Sequence, residues 1–255
     1  MRRLRGAGCV FAEDEARLLV SAARDAAELA ALVDRRVAGA PLEQVLGWAE
    51  FCGLRIAVAP GVFVPRRRTE LMVRAAVTLA DSGSVVVDLC CGTGAVGAAL
   101  AAAVPGIDLH ATDVDAAAVA CARRNLPLVP VHEGDLFAAL PDELVGRIAV
   151  LTANVPYVPT AAIALMPPEA RDHEPRPALD GGGDGLDLVR RLVDGAARWL
   201  APGGALLFEC SEEQAGTAVD VVSVAGLAAR LVVDEDLGAT VVVGTRGPDV
   251  PAGTR

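Results

Sequence analysis

The chain contains no lysine and only one tyrosine, and aromatic residues make up 3% of it. All 23 basic side chains are arginines, and 33 acidic ones outweigh them to give a net charge of −10 over 255 residues. Such a surface is unfavourable for binding a phosphate backbone, although PRRR at 65–68 leaves room for a local basic patch. Nucleic acid is therefore not the substrate that we expect.

Cysteine pairs at metal-ligand spacing are also absent. The six cysteines form no C-x-x-C pair, and the three histidines lie far apart in the sequence. This distribution argues against a metal centre. The adjacent residues Cys90 and Cys91 are better explained as small packing residues than as a redox site.

Long hydrophobic runs are missing as well. No uninterrupted apolar stretch reaches the roughly 18–20 residues that a membrane span needs. The first residues, MRRLRGAGCVFAEDEARLL, begin with basic side chains as a signal peptide does, but acidic residues follow before an apolar segment can form. We therefore expect a soluble cytoplasmic protein that does not bind a membrane.

The first 65 residues differ in pattern from the rest. Leucines and valines at helical spacing predict an alanine-rich helix from Glu13 to Val37, and PLEQVLGW predicts another helical turn. Apolar and polar residues alternate around Gly53, which predicts a β-hairpin. We expect a short helical substrate-recognition module (1–48), a hairpin linker (49–65) and a larger catalytic domain (66–255).

The larger domain alternates strands and helices. Four apolar runs, SVVVDLC, IDLHATD, LVPVHEGD and IAVLTAN, are each followed or preceded by a helical pattern, and ALLFEC, GLAARLVVDED and ATVVVGT supply the last strands. This order predicts a seven-stranded, mostly parallel sheet with helices on both faces. The last two strands follow closely on each other, which predicts an antiparallel pair.

Acidic residues at three successive strand ends predict a nucleoside site. Asp88 ends the first of these strands, and Gly92 and Gly94 lead into a helix with free backbone N–H groups. Asp113, about 20 residues on, suits ribose hydroxyls, and Asp135 suits the amino group of an adenine. The loop reads D-x-C-C-G-T-G and not G-x-G-x-x-G, so a phosphate-free, cationic nucleoside such as S-adenosylmethionine fits it better than a dinucleotide. Ordinary solvated loops are the alternative explanation.

The stretch LTANVPYVP places an amide, two prolines and the only tyrosine directly after a strand. Prolines extend neither a ladder nor a helix, so this is a stiff loop. The Asn154 side chain and the Val155 carbonyl can each accept one N–H of a planar amide, while the Tyr157 ring stacks on it. On this reading the ring matters more than the hydroxyl. A simple turn cap at Asn154 before Pro156 is the alternative.

These stretches together resemble the release-factor glutamine N5-methyltransferases, a group of the Rossmann-like class I S-adenosylmethionine-dependent methyltransferases. PLEQVLGWAEFCGLRIAVAPGVFVPRRRTELMV is similar to the family's hairpin and its Pro-Arg-Pro-Glu-Thr-Glu segment, and VVDLCCGTGA and ATDVDAAAVACARRN are similar to its cofactor motifs. ANVPYVP corresponds to Asn-Pro-Pro-Tyr, and EPRPALDGGGDGLDLVRRL corresponds to the segment that follows it. The resemblance runs from about residue 41 to the end.

The resemblance implies methyl transfer from S-adenosylmethionine to N5 of a protein glutamine, with the GGQ loop of a peptide-chain release factor as the favoured acceptor and a monomer as the active form. The implied catalytic residues are Asn154, Val155, Pro156 and Tyr157. The implied cofactor-binding residues are Asp88, Cys90, Gly92, Gly94, Asp113, Val114, Asp135, Leu136 and Asn154. The implied substrate-binding residues are Arg66, Asn154, Tyr157, Glu174 and Arg176.

The chain departs from the family pattern at four positions. Val155 replaces the first proline of the catalytic motif, and Cys90 replaces the first glycine of the cofactor loop. Arg67 and Arg68 stand where proline and glutamate are usual, and the helical module is shorter than the family's. Three alternatives stay open: an adenine N6-methyltransferase on DNA or RNA, a different protein substrate such as a ribosomal protein, and a cofactor-binding protein without turnover.

Overall fold

Four short helices form the N-terminal module of the computed structural model, which describes residues 1–248. They are α1 (Arg2–Gly6), α2 (Ala12–Ala22), α3 (Ala26–Val37) and α4 (Leu42–Leu46). The prediction of one helix over 13–37 is wrong. Asp25 accepts a hydrogen bond from the Glu28 backbone N–H at 2.8 Å, and the Glu28 carboxylate accepts one from the Arg24 backbone N–H at 2.7 Å. The Asp25 cap satisfies an N–H in the first turn of α3, and the Glu28 carboxylate binds the N–H just before the helix, so a second helix begins there.

A buried ion pair joins these helices to one another and to the rest of the chain. The Arg36 Nε lies 2.7 Å from a carboxylate oxygen of Glu15, and both side chains are about nine-tenths buried. Arg36 also pairs with Glu169, which lies beyond the catalytic motif in sequence. The helical module is therefore linked by an ion pair to the segment that follows the strand Ile148–Ala153 in the larger domain.

The predicted hairpin consists of β1 (Trp48–Phe51) and β2 (Leu54–Ala57). Its turn residues, Cys52 and Gly53, have φ of 50° and 74°, the left-handed pair that matches the twist of two antiparallel strands. Phe51 is fully buried in the same hydrophobic cluster as helices of the larger domain. The Ala57 backbone N–H donates to the side chain of Asn125 at 2.8 Å. The hairpin is thus packed against the larger domain.

The larger domain is built on a seven-stranded sheet with the order β5-β4-β3-β6-β7-β9-β8. Its strands are β3 (Val85–Leu89), β4 (Asp108–Asp113), β5 (Val131–Glu133), β6 (Ile148–Ala153), β7 (Leu200–Cys210), β8 (Ala228–Asp234) and β9 (Ala239–Thr245). Only β9 runs antiparallel to its neighbours β7 and β8. The predicted mostly parallel sheet with a terminal antiparallel pair is confirmed.

Helices cover both faces of this sheet. They are α5 (Glu70–Val77), α6 (Ala95–Ala103), α7 (Ala116–Asn125), α9 (Asp187–Trp199) and α10 (Ala215–Val224). A further helix, α8 (Pro168–His173), lies between β6 and α9 in the chain and carries the Glu169 that pairs with Arg36. Val86 packs in the cluster that contains α5, α6 and α7, whereas Val85 and Val87 pack in the cluster that contains α9 and α10. Because both faces are buried, β3 reads as a continuous apolar run and does not alternate.

None of the helices within residues 1–248 has the length and apolar character needed to cross a membrane. The proposed division at residues 48 and 65 stays a prediction, and residues 249–255 of the third part lie outside the described chain.

The cap at Asp25 generates a stability prediction. Asp25→Ala removes the side-chain acceptor at the start of α3 and should lower the free energy of unfolding by about 1 kcal/mol. Urea denaturation followed by circular dichroism measures the change. Asp14→Ala, an exposed acid on α2 paired only with Arg17, is the control and should change stability by less than about 0.5 kcal/mol. Equal losses in the two variants would contradict the cap.

Candidate active site

A cavity of about 350 Å³ opens where β3, β4 and β6 end side by side. The parallel pairing of these strands brings their carboxyl ends to one edge of the sheet, which is where ligands bind in such folds. Seven of the predicted site residues line this cavity: Asp88, Cys90, Gly92, Asp113, Val114, Asn154 and Pro156. Residues of the hairpin exit and of the segment 175–178 complete the wall.

The loop after β3 carries three left-handed residues at alternate positions. Cys90, Gly92 and Gly94 have φ of 53°, 55° and 75°. A Cβ on Gly94 would lie 2.9 Å from the Leu126 side chain, so this glycine is also required by packing. A non-glycine residue in the left-handed region costs about 1 kcal/mol, which explains why glycine is usual where this chain has Cys90.

Asp113 joins this loop to β4. Its carboxylate accepts the backbone N–H of Gly92 at 2.8 Å and that of Asp115 at 3.0 Å. Burial raises the pKa of Asp113. The side chain therefore holds the glycine loop in place while it lines the cavity.

Asp88 is a buried side chain that connects neighbouring elements. Only 1% of its surface is exposed, and it accepts hydrogen bonds from the Gly97 backbone N–H and the Thr152 hydroxyl, both at 3.0 Å. These contacts tie β3 to α6 and to β6. Burial outweighs both hydrogen bonds and raises the pKa of Asp88 to about 7.

Three predicted cofactor residues are not among those that line the cavity. Gly94 supports the loop from behind, and Leu136 is buried with a φ of 49°. Asp135 lies at the surface, where its carboxylate pairs with Arg191 of α9 at 2.6 Å. The adenine contact of Asp135 stays a prediction.

The loop that follows β6 separates the cavity from a second, smaller pocket of about 40 Å³. Asn154 and Pro156 line both of them, whereas Val155 and Tyr157 line only the smaller one. Val155 is 1% exposed and packs in the cluster beneath α9, so a branched apolar side chain fills the place of the usual proline. Among the described residues the Asn154 side chain has no hydrogen-bond partner. A turn cap would use that side chain, so this geometry favours an amide available to a ligand.

Tyr157 is held by a residue that the sequence analysis missed. Its hydroxyl donates to a carboxylate oxygen of Glu209 at 2.5 Å, and burial together with the charge of Glu209 raises the pKa of Tyr157. Glu209 sits in the run ALLFEC of β7 and is 1% exposed. A lone acid inside an apolar strand is a signal that a buried partner exists.

The predicted substrate residues Arg66 and Glu174 contact each other. The Arg66 guanidinium lies 2.5 Å from Glu174, whose carboxylate also accepts the Val64 backbone N–H at 3.0 Å. Arg66 lines the smaller pocket. Arg176 lies apart from them, exposed and paired with Asp180. The structure therefore brings together two of these three residues.

The segment DHEPRPALDGGGDG is hydrogen-bonded alongside the loop that follows β6. Val158 donates its backbone N–H to the Leu179 carbonyl at 3.0 Å and accepts that of Gly181 at 2.8 Å. A Cβ on Gly185 would overlap the Tyr157 carbonyl oxygen, so glycine permits a close approach here. Ala178 of this segment lines both pockets.

Metal ligands and reactive thiols are not evident in this site. The part of the chain that the structure describes holds no group of three His, Cys, Asp or Glu side chains placed to bind a metal ion. Burial raises the pKa of the Cys90 and Cys91 thiols. Both cysteines are thus expected to react slowly.

Comparisons with known proteins agree with this geometry. Residues 53–157 match the family model described as the methyltransferase small domain. The chain is 39% identical over 226 residues to the release factor glutamine methyltransferase of Geobacter sulfurreducens. The aligned region covers 86% of this chain and 78% of that protein. The chain belongs to the release factor glutamine methyltransferase family.

Two further relatives show the breadth of this similarity. A 4-amino-L-phenylalanine/4-methylamino-L-phenylalanine methyltransferase of Streptomyces pristinaespiralis is 38% identical over 186 residues, covering 69% of this methyltransferase and 63% of that protein. The crystal structure of a methyltransferase from Pyrococcus furiosus has a TM-score of 0.57 at 18% identity, over 84% of this chain and 97% of the other. That likeness shows the class I methyltransferase fold.

The cofactor of this methyltransferase is S-adenosylmethionine. The cavity fits this molecule, because Asp113 presents a carboxylate to hydroxyl and cationic groups and would repel a pyrophosphate. The open backbone at Gly92, where a Cβ would meet nothing within 4 Å, leaves room for a ligand.

Asp113 provides a test of cofactor binding. Asp113→Ala removes a cavity carboxylate and should weaken S-adenosylmethionine binding by about 1.5–3 kcal/mol, the scale of a hydrogen bond to a charged group. Titration calorimetry measures the affinity. Asp108→Ala, at the other end of the same strand, is the control and should bind as the parent does. Unchanged affinity in a folded Asp113→Ala variant would refute the assignment.

Asp88 generates a pH prediction for the cofactor-free protein. Its folded-state pKa of about 7 lies above the unfolded value of about 3.9. The folded protein therefore holds an extra proton between these values, and stability falls as the pH rises through this window, by up to about 4 kcal/mol.

Asp88→Asn, which is neutral at every pH, should flatten this slope. Urea denaturation at intervals from pH 4 to pH 8 measures how the free energy of unfolding depends on pH. The difference between the parent and the variant gives the contribution of Asp88, because Asp113 is present in both proteins. Parallel curves for the two proteins would show that Asp88 titrates normally.

Proposed function

We propose that this methyltransferase transfers a methyl group from S-adenosylmethionine to the side-chain N5 of a glutamine in a peptide-chain release factor. One observation supports this most: the unpartnered Asn154 amide lies between the large cavity and the smaller pocket. A group in that position can contact both a cofactor and an acceptor. The names and identities of the relatives support the same reaction.

The large cavity is the cofactor side. We assign to it the lining residues Asp88, Cys90, Gly92, Asp113, Val114 and Asn154. Asp113 would accept ribose hydroxyls, and the left-handed turn at Gly92 lets the backbone lie close to the ligand. When bound, the cofactor supplies an electrophilic methyl group.

The smaller pocket is the acceptor side. A glutamine amide is a poor nucleophile, because its nitrogen lone pair is delocalised into the carbonyl. Asn154 Oδ1 and the Val155 carbonyl would each accept one N–H of that amide, which orients the nitrogen and stabilises the charge that develops on it. The Tyr157 ring would lie against the plane of the amide. Since position 155 contributes a backbone carbonyl, valine can replace proline there.

The identity of the acceptor requires a direct comparison. The same arrangement of acceptors suits any planar amino group, and one relative carries the name of a methyltransferase for a small aromatic amine. Labelled S-adenosylmethionine and this enzyme should be incubated with each candidate acceptor in a separate reaction. The candidates are a release factor, a ribosomal protein, an adenine-containing DNA or RNA, and 4-amino-L-phenylalanine. We expect label in the release factor, at the glutamine of its GGQ loop. Label confined to another acceptor would reassign the substrate.

We also propose that the enzyme acts in the cytoplasm as a monomer. Size-exclusion chromatography with light scattering tests the monomer.

Asn154→Ala tests the catalytic assignment. It removes one preorganised acceptor and should lower kcat by about 10²–10³-fold while cofactor affinity stays nearly intact. Single-turnover methyl transfer to the identified acceptor and calorimetry of S-adenosylmethionine binding provide the two readouts.

Val155→Pro is the matched control within the same loop. It keeps the backbone carbonyl and should leave the rate equal or higher. Transfer at the parental rate by Asn154→Ala would exclude the catalytic assignment and favour a turn cap.

A further inference from the structure

Glu209 is a buried carboxylate at the carboxyl end of β7. Its carboxylate accepts the Tyr157 hydroxyl at 2.5 Å, the Arg68 Nε–H at 2.6 Å and the Thr69 hydroxyl at 2.7 Å. A buried carboxylate is costly unless donors compensate for the lost water, and here three donors converge on it. The group is therefore fully engaged in contacts within the protein.

These donors come from two separate parts of the chain. Tyr157 belongs to the loop after β6, whereas Arg68 and Thr69 belong to the segment between the hairpin and α5. Arg68 also lies over the Tyr157 ring, with its guanidinium carbon 5.6 Å from the ring centroid. Glu209 is thus the point at which the two walls of the smaller pocket are joined.

The backbone of Tyr157 is fixed independently of its side chain. Its carbonyl oxygen accepts a hydrogen bond from Gln214 Nε2 at 2.8 Å, and the same nitrogen donates to the Asp184 carbonyl at 2.9 Å. The hydroxyl bond to Glu209 then fixes the far end of the side chain. With both ends held, the ring has one orientation beside Asn154.

Arg68 is a departure from the family segment, where glutamate is usual at this position. Two carboxylates beside each other would repel, and in this chain the cation at residue 68 instead forms an ion pair with Glu209. The charge on Glu209 is balanced within the site. The Tyr157 hydroxyl therefore donates to a carboxylate that Arg68 and Thr69 also hold in place.

We infer that Glu209 is a positioning residue for methyl transfer, which acts by holding the Tyr157 ring in the plane that the acceptor amide must adopt. The inference rests on the proposed function for the acceptor amide, whereas the contact between Glu209 and Tyr157 does not. It also assigns the hydroxyl a larger role than the sequence predicts, since the sequence analysis expects the ring to matter more than the hydroxyl.

A double-mutant cycle tests the kinetic part. Glu209→Gln and Tyr157→Phe should each lower the single-turnover rate by about tenfold, the equivalent of about 1.4 kcal/mol, with cofactor affinity unchanged. The double variant should be no slower than the slower single variant, because both changes break the same contact. Additive losses, or a parental rate in either single variant, would overturn the inference.

The single tyrosine of the chain permits a spectroscopic test that needs no acceptor. Tyrosinate absorbance near 295 nm reports Tyr157 alone. In Glu209→Gln the neighbouring carboxylate charge is lost and Arg68 remains, so tyrosinate should appear at a lower pH than in the parent. The same midpoint in both proteins would show that the hydroxyl does not depend on Glu209.

Controls separate positioning from folding and from the acceptor assignment. Asp234→Asn removes a carboxylate of the edge strand β8 that pairs with Arg74 of α5. This variant should leave the single-turnover rate and the pH midpoint of tyrosinate formation unchanged. If Glu209→Gln does not fold, Tyr157→Phe breaks the contact from the other side and keeps the ion pair of Arg68. If no acceptor in the panel takes up label, the proposed function fails while the tyrosinate midpoint still tests the contact. A shifted midpoint with an unchanged rate overturns the positioning role.

Discussion

Parallel pairing of β3 with β4 on one side and with β6 on the other is the constraint on which the site depends. In the ladders Asp88 lies beside Ala111 and Thr152, so the residues that follow on all three strands emerge at the same edge. Asp113 and Asn154 are 41 residues apart in sequence, yet both line one cavity. The helices that cover both faces leave the strand ends as the place where a ligand reaches the sheet.

The polar groups of the site divide by whether the protein itself satisfies them. Asp88, Asp113 and Glu209 each accept two or three hydrogen bonds from within the chain, and these bonds connect strands, loops and helices. A buried acid without such donors would destabilise the fold. Asn154 differs from them, since its amide has no partner within residues 1–248 and faces the space between the two pockets. The structure thus satisfies these acids internally and leaves one amide available to a ligand.

The surroundings of the smaller pocket are assembled from segments that are distant in sequence. The ion pair between Arg66 and Glu174 joins the hairpin exit to the segment after the loop that follows β6, and Arg36 joins the helical module to Glu169 in the same segment. Both links involve a buried partner, where charge attraction is screened less than at the surface. The segment 168–174 therefore connects the module that we expect to recognise the substrate with the loop that we expect to catalyse the reaction.

The sequence by itself determined the sheet and the location of the site. Apolar runs separated by helical patterns predicted the seven mostly parallel strands of an α/β fold, because both faces of a parallel sheet must be buried. Acids and glycines at strand ends indicated the cofactor side, and ANVPYVP indicated the acceptor side. Local patterns carry this information, since they depend on residues that are close in the chain.

Only the tertiary structure decided which side chains meet. The helix break at Asp25 depends on two side-chain caps that helical spacing does not reveal. Asp135 pairs with Arg191, and Glu209 holds Tyr157, because strands and helices far apart in sequence come together in the folded chain. The sequence does not distinguish a carboxylate that binds a ligand from one that accepts hydrogen bonds from buried donors within the protein. Its role follows from the distance to its partners and from its burial, and both quantities exist only once the chain has folded.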